Sequence, residues 1–195
     1  ASGEKVLPSI VENRKINNFW GIDSNSEFNN REDIFCLDVD NDSFPLPDNF
    51  IDLVVSFWGV EHFKNLNFLD ETTRVLKPGG KFIFLTPNIY HPLFIVNRIL
   101  PSGFLKIIRQ KVLNINENYP TYYRFNSYCK VVKESEKRGL AVKSITYIGP
   151  SNVLSYFPEK NWLKRFIVCL EKLITNRLLF WLKPTLIIVL KKKKD

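Results

Sequence analysis

The stretch LDVDNDSFPLPDNFIDLVVSFWGVEHF, residues 37–63, decides the fold of this chain of 195 residues. Residues 51–58 ("IDLVVSFW") form a near-continuous apolar run, which is typical of parallel strands buried on both faces. Turn-forming residues at 45–50 ("PLPDNF") lead into this run, and Glu61 and His62 follow it and begin a helix. The stretch therefore predicts a central strand that is entered through a turn and left through a polar pair.

On either side of this stretch, apolar runs of strand length alternate with helical patterns, which predicts βαβ units and a parallel sheet. Further strands are predicted at 17–23, 33–39, 81–87, 140–149 and 184–193. Helices are predicted at 3–15, 65–76, 92–114 in two pieces, 127–139 and 161–182. The helix at 65–76 should stop at "KPGG", where Pro78 cannot continue it and Gly79 supplies a positive φ.

Charge is divided unevenly along the chain, whose formal net charge is +8. Residues 1–100 carry 9 basic and 14 acidic side chains, whereas residues 101–195 carry 19 and 6. A basic second half predicts contact with something anionic, such as lipid headgroups or a phosphorylated substrate, or a solvated basic face. No recognised nucleic-acid motif accompanies the charge, so no nucleic-acid partner is expected. Cys36, Cys129 and Cys169 show no C-x-x-C spacing and predict reduced, mostly buried thiols of a cytoplasmic protein.

Asp23 ends the strand at 17–23, and it lies 20 residues beyond Gly3. An acid at the end of the second strand of a doubly wound sheet commonly accepts hydrogen bonds from a ribose diol, about 20 residues after a glycine-rich turn. Acids also end many strands without binding anything. The spacing alone leaves both interpretations open.

Five features in order carry a resemblance to a known family. They are the acid at 38 or 40, the Pro-flanked run at 44–54, "EH" at 61–62, "RVLKPGG" at 74–80, and the strand that follows it. In this combination the sequence resembles the class I S-adenosylmethionine-dependent methyltransferases, in the small-molecule branch called type 11. The resemblance covers residues 1–88 well. It implies a Rossmann-like α/β fold, with a mostly parallel sheet and an antiparallel last strand.

The resemblance also implies residues that hold the cofactor, S-adenosylmethionine. Those near its methionine and ribose parts are Ala1, Gly3, Asp23 and Ser24. Those near adenine and the reactive methyl group are Asp38, Val39, Asp40, Ser56 and Phe57. Between Asp38 and Asp40 the choice stays open, because the end of the apolar run favours Asp38 and the distance from Pro45 favours Asp40.

Glu61, His62 and His91 are candidates for the acceptor side of the site. An imidazole suits proton removal at neutral pH, so His62 is the predicted general base; the alternative is that Glu61 and His62 only fix the start of a helix. His91 is a second candidate base, or a turn residue before Pro92. Some relatives bind a metal through E-x-x-E-H, but Trp58 stands at the first position here, and no metal is expected.

Tyr122, Tyr123 and Arg124 fall between the fifth and sixth strands, where this fold places its substrate cover. Their rings and guanidinium could hold a sugar or a phosphate, or the aromatics could simply anchor a loop. The basic amphipathic helices at 92–114 and 161–182 could lie on the inner face of a membrane or pack on the domain.

These features predict one methyltransferase domain over residues 1–195. Its cofactor-binding half is residues 1–88, its substrate-cover insertion residues 89–140, and its last strands and amphipathic helix residues 141–195. The acceptor is expected to be a small molecule, a sugar or a lipid-linked compound, with a role in cell-envelope polysaccharide metabolism. The alternatives are a non-catalytic membrane or partner-binding module and an NAD(P)-dependent oxidoreductase. Since residues 1–3 read as the tail of a glycine-rich loop, a first strand is expected to precede them, which makes this chain an N-terminally truncated fragment.

Overall fold

A computed structural model describes residues 18–24, 34–100, 120–149, 165–166, 168–169 and 177–194. The sequence predictions at residues 1–17, 101–119 and most of 150–176 lie outside the described residues. Ala1 and Gly3 are among them.

Six strands are present in the described residues, and they form two sheets. The strands are β1 (Gly21–Asp23), β2 (Ile34–Cys36), β3 (Ile51–Phe57), β4 (Leu76–Pro87), β5 (Leu140–Ile148) and β6 (Thr185–Lys192). β1 and β2 pair in parallel, and the second sheet has the order β3-β4-β6-β5. β3 and β4 are parallel, whereas β6 runs antiparallel to both β4 and β5. The predicted α/β architecture with an antiparallel last strand is confirmed.

Among the described residues, three α-helices with defined bounds accompany these strands: α1 (Asn67–Val75), α2 (Pro92–Ile99) and α3 (Tyr128–Glu136). Glu61 and His62 do not begin an α-helix, because Val60–His62 is a single 3-10 turn and α1 starts later. β4 begins at Leu76, earlier than predicted, since "KPGG" runs beside β3 across a register shift. A Cβ at Gly80 would lie 2.9 Å from the Lys77 carbonyl oxygen, so only glycine fits this close approach.

Arg74 explains why the "RVLKPGG" stretch and the Pro-flanked turn occur together. Its guanidinium donates hydrogen bonds to the backbone carbonyls of Phe44 and Leu46 and forms ion pairs with Asp48 and Glu71. The Glu71 carboxylate also accepts the Phe44 N–H at 2.7 Å. A planar guanidinium with several fixed donors can hold a turn in this way. α1 thus shapes the turn that leads into β3.

The core is built largely from phenylalanine. Phe84 stacks on Phe82 and on Phe125, with ring centroids 4.9 and 5.4 Å apart, and Phe68 meets Phe125 edge to face at 5.8 Å. All four rings are buried. They join α1, β4 and the segment before α3, so this segment is part of the core.

The prediction that β3 is buried on both faces is wrong for the described residues. Leu53 and Val55 are 50% and 41% exposed. Within the described residues β3 is hydrogen-bonded only to β4 and forms the edge of its sheet. The three cysteines are free, as predicted, but they are exposed and not buried.

Candidate active site

The carboxyl ends of the parallel strands β3 and β4 lie side by side, and the chain makes an unusual turn there. Trp58 adopts φ = 53°, a left-handed conformation that bulky residues rarely take. Its N–H donates to the carbonyl of Leu85 on β4, which fixes where the chain leaves β3. Val60–His62 follows as the 3-10 turn and places Glu61 and His62 at this edge.

The Glu61 side chain points into the protein, where it is 4% exposed. Its Oε2 accepts a hydrogen bond from the Thr86 hydroxyl at 3.2 Å, and that hydroxyl accepts one from the Asn126 Nδ2 group. Thr86 and Asn126 are fully buried. Burial raises the pKa of the Glu61 carboxyl to about 7, although hydrogen bonds from its own backbone N–H and from Thr86 act in the opposite direction. Motif reading had not identified Thr86 or Asn126, since neither belongs to a recognisable pattern.

His62 is held by the segment that precedes α3. Its Nδ1 lies 2.9 Å from the Pro120 carbonyl oxygen. Because a carbonyl only accepts, Nδ1 carries the hydrogen, and in the neutral ring the lone pair is then on Nε2. This tautomer is the one that a proton acceptor at Nε2 requires.

Tyr122 and Tyr123 are held at the same turn. The backbone N–H groups of both residues donate to the Glu61 carbonyl, at 2.7 and 3.2 Å. Tyr123 adopts φ = 50° and packs its ring against Phe94 of α2, whereas Arg124 is exposed. The structure therefore brings Tyr122 and Tyr123, two of the three predicted substrate-cover residues, to Glu61.

His91 is placed differently, because it is 1% exposed and starts α2. Its carbonyl accepts the N–H groups of Phe94 and Ile95, and its ring meets Phe94 edge to face. Burial lowers the pKa of the His91 imidazole to about 4, so the ring is neutral at neutral pH. This geometry fits the turn interpretation better than the base interpretation.

The predicted cofactor residues lie at the carboxyl ends of β1, β2 and β3. Asp23 ends β1 and is buried, and the exposed Ser24 follows it. Ser56 and Phe57 end β3 and are half-buried. Val39 packs on the edge of the core in the turn after β2.

Asp38 and Asp40 both stabilise that turn. The Asp38 carboxylate accepts hydrogen bonds from the Asp40 N–H and the Asn41 amide, and these bonds hold the pKa of the carboxyl below its usual range. Asp40 Oδ1 accepts the Lys64 N–H at 2.8 Å and the Asn65 N–H at 3.3 Å. Asp40 thus ties the turn after β2 to the chain just beyond His62. The structure does not choose between the two residues as the adenine contact.

Groups of His, Cys, Asp and Glu that could hold a metal are absent from the described residues. Within the same residues, no helix is long and apolar enough to cross a membrane.

A known protein family matches the first part of the chain. Residues 5–84 match the family described as "Methyltransferase domain". The matched residues include Asp23, Asp38, Asp40 and Glu61 and end before Thr86.

Two curated relatives extend this result. A probable S-adenosylmethionine-dependent methyltransferase of Mycolicibacterium smegmatis is 49% identical over 45 residues, which are 23% of this chain and 18% of that protein. An uncharacterized protein of Methanocaldococcus jannaschii is 28% identical over 183 residues, covering 83% of this chain and 71% of that protein. The match to the first relative therefore spans less than one fifth of its length.

Solved structures of methyltransferases share the fold of this chain. One is a complex between the Haloferax volcanii Trm112 methyltransferase activator and a methyltransferase, with a TM-score of 0.58, 18% identity, and coverage of 96% of this chain and 77% of that chain. Another is an S-adenosylmethionine-dependent methyltransferase from Mesorhizobium loti, with a TM-score of 0.55, 12% identity, and coverage of 90% and 80%. At these identities the likeness shows the fold alone. The fold and the family match over residues 5–84 support the class I methyltransferase prediction, and S-adenosylmethionine is the cofactor that the comparisons support.

Replacing Glu61 with Gln is expected to change how stability depends on pH. The folded pKa of about 7 lies above the ordinary value of 4.5, so the folded state keeps a proton that the unfolded chain releases between these values. The stability from this group is therefore fully present below the unfolded pKa and is lost as pH rises through about 7. The free energy of unfolding of the wild type, relative to that of Glu61→Gln, should fall by up to about 1.4 kcal/mol for each pH unit between 4.5 and about 7. Urea denaturation measures this difference.

His91 changes the pH dependence of protein stability in the opposite direction. Its folded pKa is depressed to about 4, so the stability that the neutral ring contributes is lost as pH falls. It is present in both proteins, so its contribution cancels in the difference. Parallel pH dependences for the two proteins would contradict the raised pKa of Glu61.

Proposed function

We propose that this domain transfers a methyl group from S-adenosylmethionine to an acceptor. The observation that carries the proposal is the meeting of Glu61, His62 and the segment with Tyr122 and Tyr123 at the carboxyl ends of β3 and β4. In α/β sheets, ligands bind at this edge. The cofactor supplies a sulfonium methyl group that an acceptor lone pair can displace, so the protein mainly aligns two reactants.

The residues after β1 and β2 fit this cofactor chemically. Asp23 presents a buried carboxylate group, which accepts hydrogen bonds from hydroxyl donors such as a ribose diol, and Ser24 lies beside it. Asp38, Val39 and Asp40 are the proposed adenine contacts. Ser56 and Phe57 are proposed to run beside the methyl group. The family match supports this over the oxidoreductase alternative.

His62 is the proposed general base for an oxygen acceptor. The Pro120 carbonyl keeps the hydrogen on Nδ1, which assigns the incoming proton to Nε2. No metal ion is invoked in this proposal.

The acceptor is proposed to be a small molecule, a sugar or a lipid-linked compound, and cell-envelope polysaccharide metabolism is the proposed setting. Tyr122 and Tyr123 offer ring faces, and Arg124 is an exposed guanidinium that can pair with a phosphate. Glu61 and His91 were candidates for the same side, but both side chains are buried, so their proposed roles are indirect.

A second proposed function is peripheral contact with the inner face of a membrane, and one surface feature favours it. The 3-10 segment Arg177–Leu182 exposes Phe180 and Trp181, at 50% and 44%. The Asn88 amide holds this segment through the Trp181 and Lys183 carbonyls. Aromatic side chains beside basic residues favour an anionic bilayer surface. Such contact would suit a lipid-linked acceptor, or a non-catalytic membrane module, in a cytoplasmic protein.

S-adenosylhomocysteine should bind the full-length protein, and Asp23→Asn should weaken that binding at least about tenfold, since a charged hydrogen bond to a ribose hydroxyl is lost. Titration calorimetry measures both. Asp52→Asn is the matched control, because this exposed acid forms a surface ion pair with Lys77. Binding of NADH in place of S-adenosylhomocysteine would favour the oxidoreductase.

His62→Asn should lower the rate of methyl transfer by about 100-fold or more, which is the usual contribution of a general base. The asparagine Nδ2 group can still donate to the Pro120 carbonyl, so the surrounding segment should stay in place. Transfer of labelled methyl groups to polysaccharide and lipid-linked acceptors measures the rate. A variant within about threefold of wild type would show that His62 is not the base.

The double variant Phe180→Ser, Trp181→Ser should reduce flotation with vesicles containing anionic lipid, because the aromatic side chains no longer enter the interface. Lys193→Glu, Lys194→Glu separates this effect from general charge attraction. If wild type does not float, or if only the lysine variant loses flotation, the aromatic surface is not a membrane contact.

A further inference from the structure

Glu61 has no route to a substrate through its own side chain, because that side chain faces the interior. It is nevertheless a carboxyl group in an apolar core, where a polar group costs free energy unless it is hydrogen-bonded. The hydrogen-bond partners of the Glu61 carboxyl group therefore indicate its role. They come from β4 and from the segment before α3.

The hydrogen bonds between these residues have a fixed direction. An amide NH₂ group can only donate, so Asn126 Nδ2 donates to the Thr86 hydroxyl oxygen. The Thr86 hydroxyl then has its hydrogen available for Glu61 Oε2, which accepts. The chain from Asn126 to Glu61 thus requires a hydroxyl at position 86 and an accepting oxygen at position 61. A negative charge at position 61 is not required.

The same segment is attached to the 3-10 turn at three further points. The Glu61 carbonyl accepts from the N–H groups of Tyr122 and Tyr123, and His62 Nδ1 donates to the Pro120 carbonyl. Phe125 is buried against Phe84. The left-handed φ of Tyr123 is a conformation that persists only where surrounding contacts determine it.

We propose that Glu61 is a positioning residue that acts through Thr86 and Asn126 to hold the segment 120–127, and with it Tyr122 and Arg124, over the carboxyl ends of β3 and β4. The role of that segment as an acceptor cover rests on the proposed function, whereas the attachment itself does not. Glu61 then determines how well the acceptor binds and leaves the cofactor residues after β1 and β2 untouched.

Hydrogen–deuterium exchange of the Tyr122 and Tyr123 amides tests the attachment directly. Thr86→Val keeps the shape of the side chain and removes the hydroxyl, and Thr86→Ser keeps the hydroxyl. Exchange at these two amides should become about tenfold faster or more in the valine variant, and it should stay near wild type in the serine variant. Amides of the central strand β6, such as Ile188, report whether each variant is folded.

A second pair at position 61 covers the case in which Thr86→Val does not fold. Glu61→Gln retains an accepting oxygen and should keep both amides protected, whereas Glu61→Met should not. The proposal is overturned if exchange is unchanged in Thr86→Val with β6 protected. It is equally overturned if the methionine variant protects the amides as well as the glutamine variant does.

Calorimetry with S-adenosylhomocysteine distinguishes this proposal from the proposed function. The affinity of Thr86→Ser and Glu61→Gln should equal that of wild type, and that of Thr86→Val should change less than about twofold. A larger loss in Thr86→Val would contradict the restriction to the acceptor side. If wild type binds no S-adenosylhomocysteine, the methyltransferase proposal fails, while the exchange experiment still decides whether Glu61 holds the segment.

Discussion

The parallel pairing of β3 with β4 is the constraint on which the candidate site depends. Phe57 lies opposite Leu85 in the register, and the Trp58 N–H continues the pairing one residue beyond the strand. Parallel strands bring their carboxyl ends to one edge, so Glu61 and Thr86 meet although they are 25 positions apart in sequence. A slip of one residue in this register would turn the alternate side chains of β4 over and move Thr86 away from Glu61.

Around this edge, apolar contacts hold the segment on the sheet, and polar contacts select its conformation. The stacked rings of Phe82, Phe84 and Phe125 are buried and bring the segment before α3 onto the sheet. Ring stacking does not select one conformation of the chain leading to Phe125. Buried polar groups do, because an unmade hydrogen bond in an apolar setting costs about 1–3 kcal/mol. Glu61, Thr86 and Asn126 therefore make the position of this segment specific.

The sequence predicted the described strands well because their apolar runs are bounded by turn residues, as at β3 and β5. It also located the polar pair at 61–62 and the acid Asp23 at a strand end. It did not predict that β3 is an exposed edge, since an apolar run is the same whether a second strand pairs with it or not. Arg74 was read only as part of a motif, yet its partners at 44, 46 and 48 show that the motif shapes a turn.

By itself the sequence determined the class of fold, the order of its elements and the family match of residues 5–84, because these follow from local periodicity and short motifs. Only the tertiary structure decided the direction in which the Glu61 side chain points, the tautomer of His62, and the hydrogen bond from Asn126 to Thr86. Each of these depends on contacts between residues that are 25 to 58 positions apart. Such contacts leave no local pattern, since a buried threonine or asparagine looks the same in sequence whatever it bonds to.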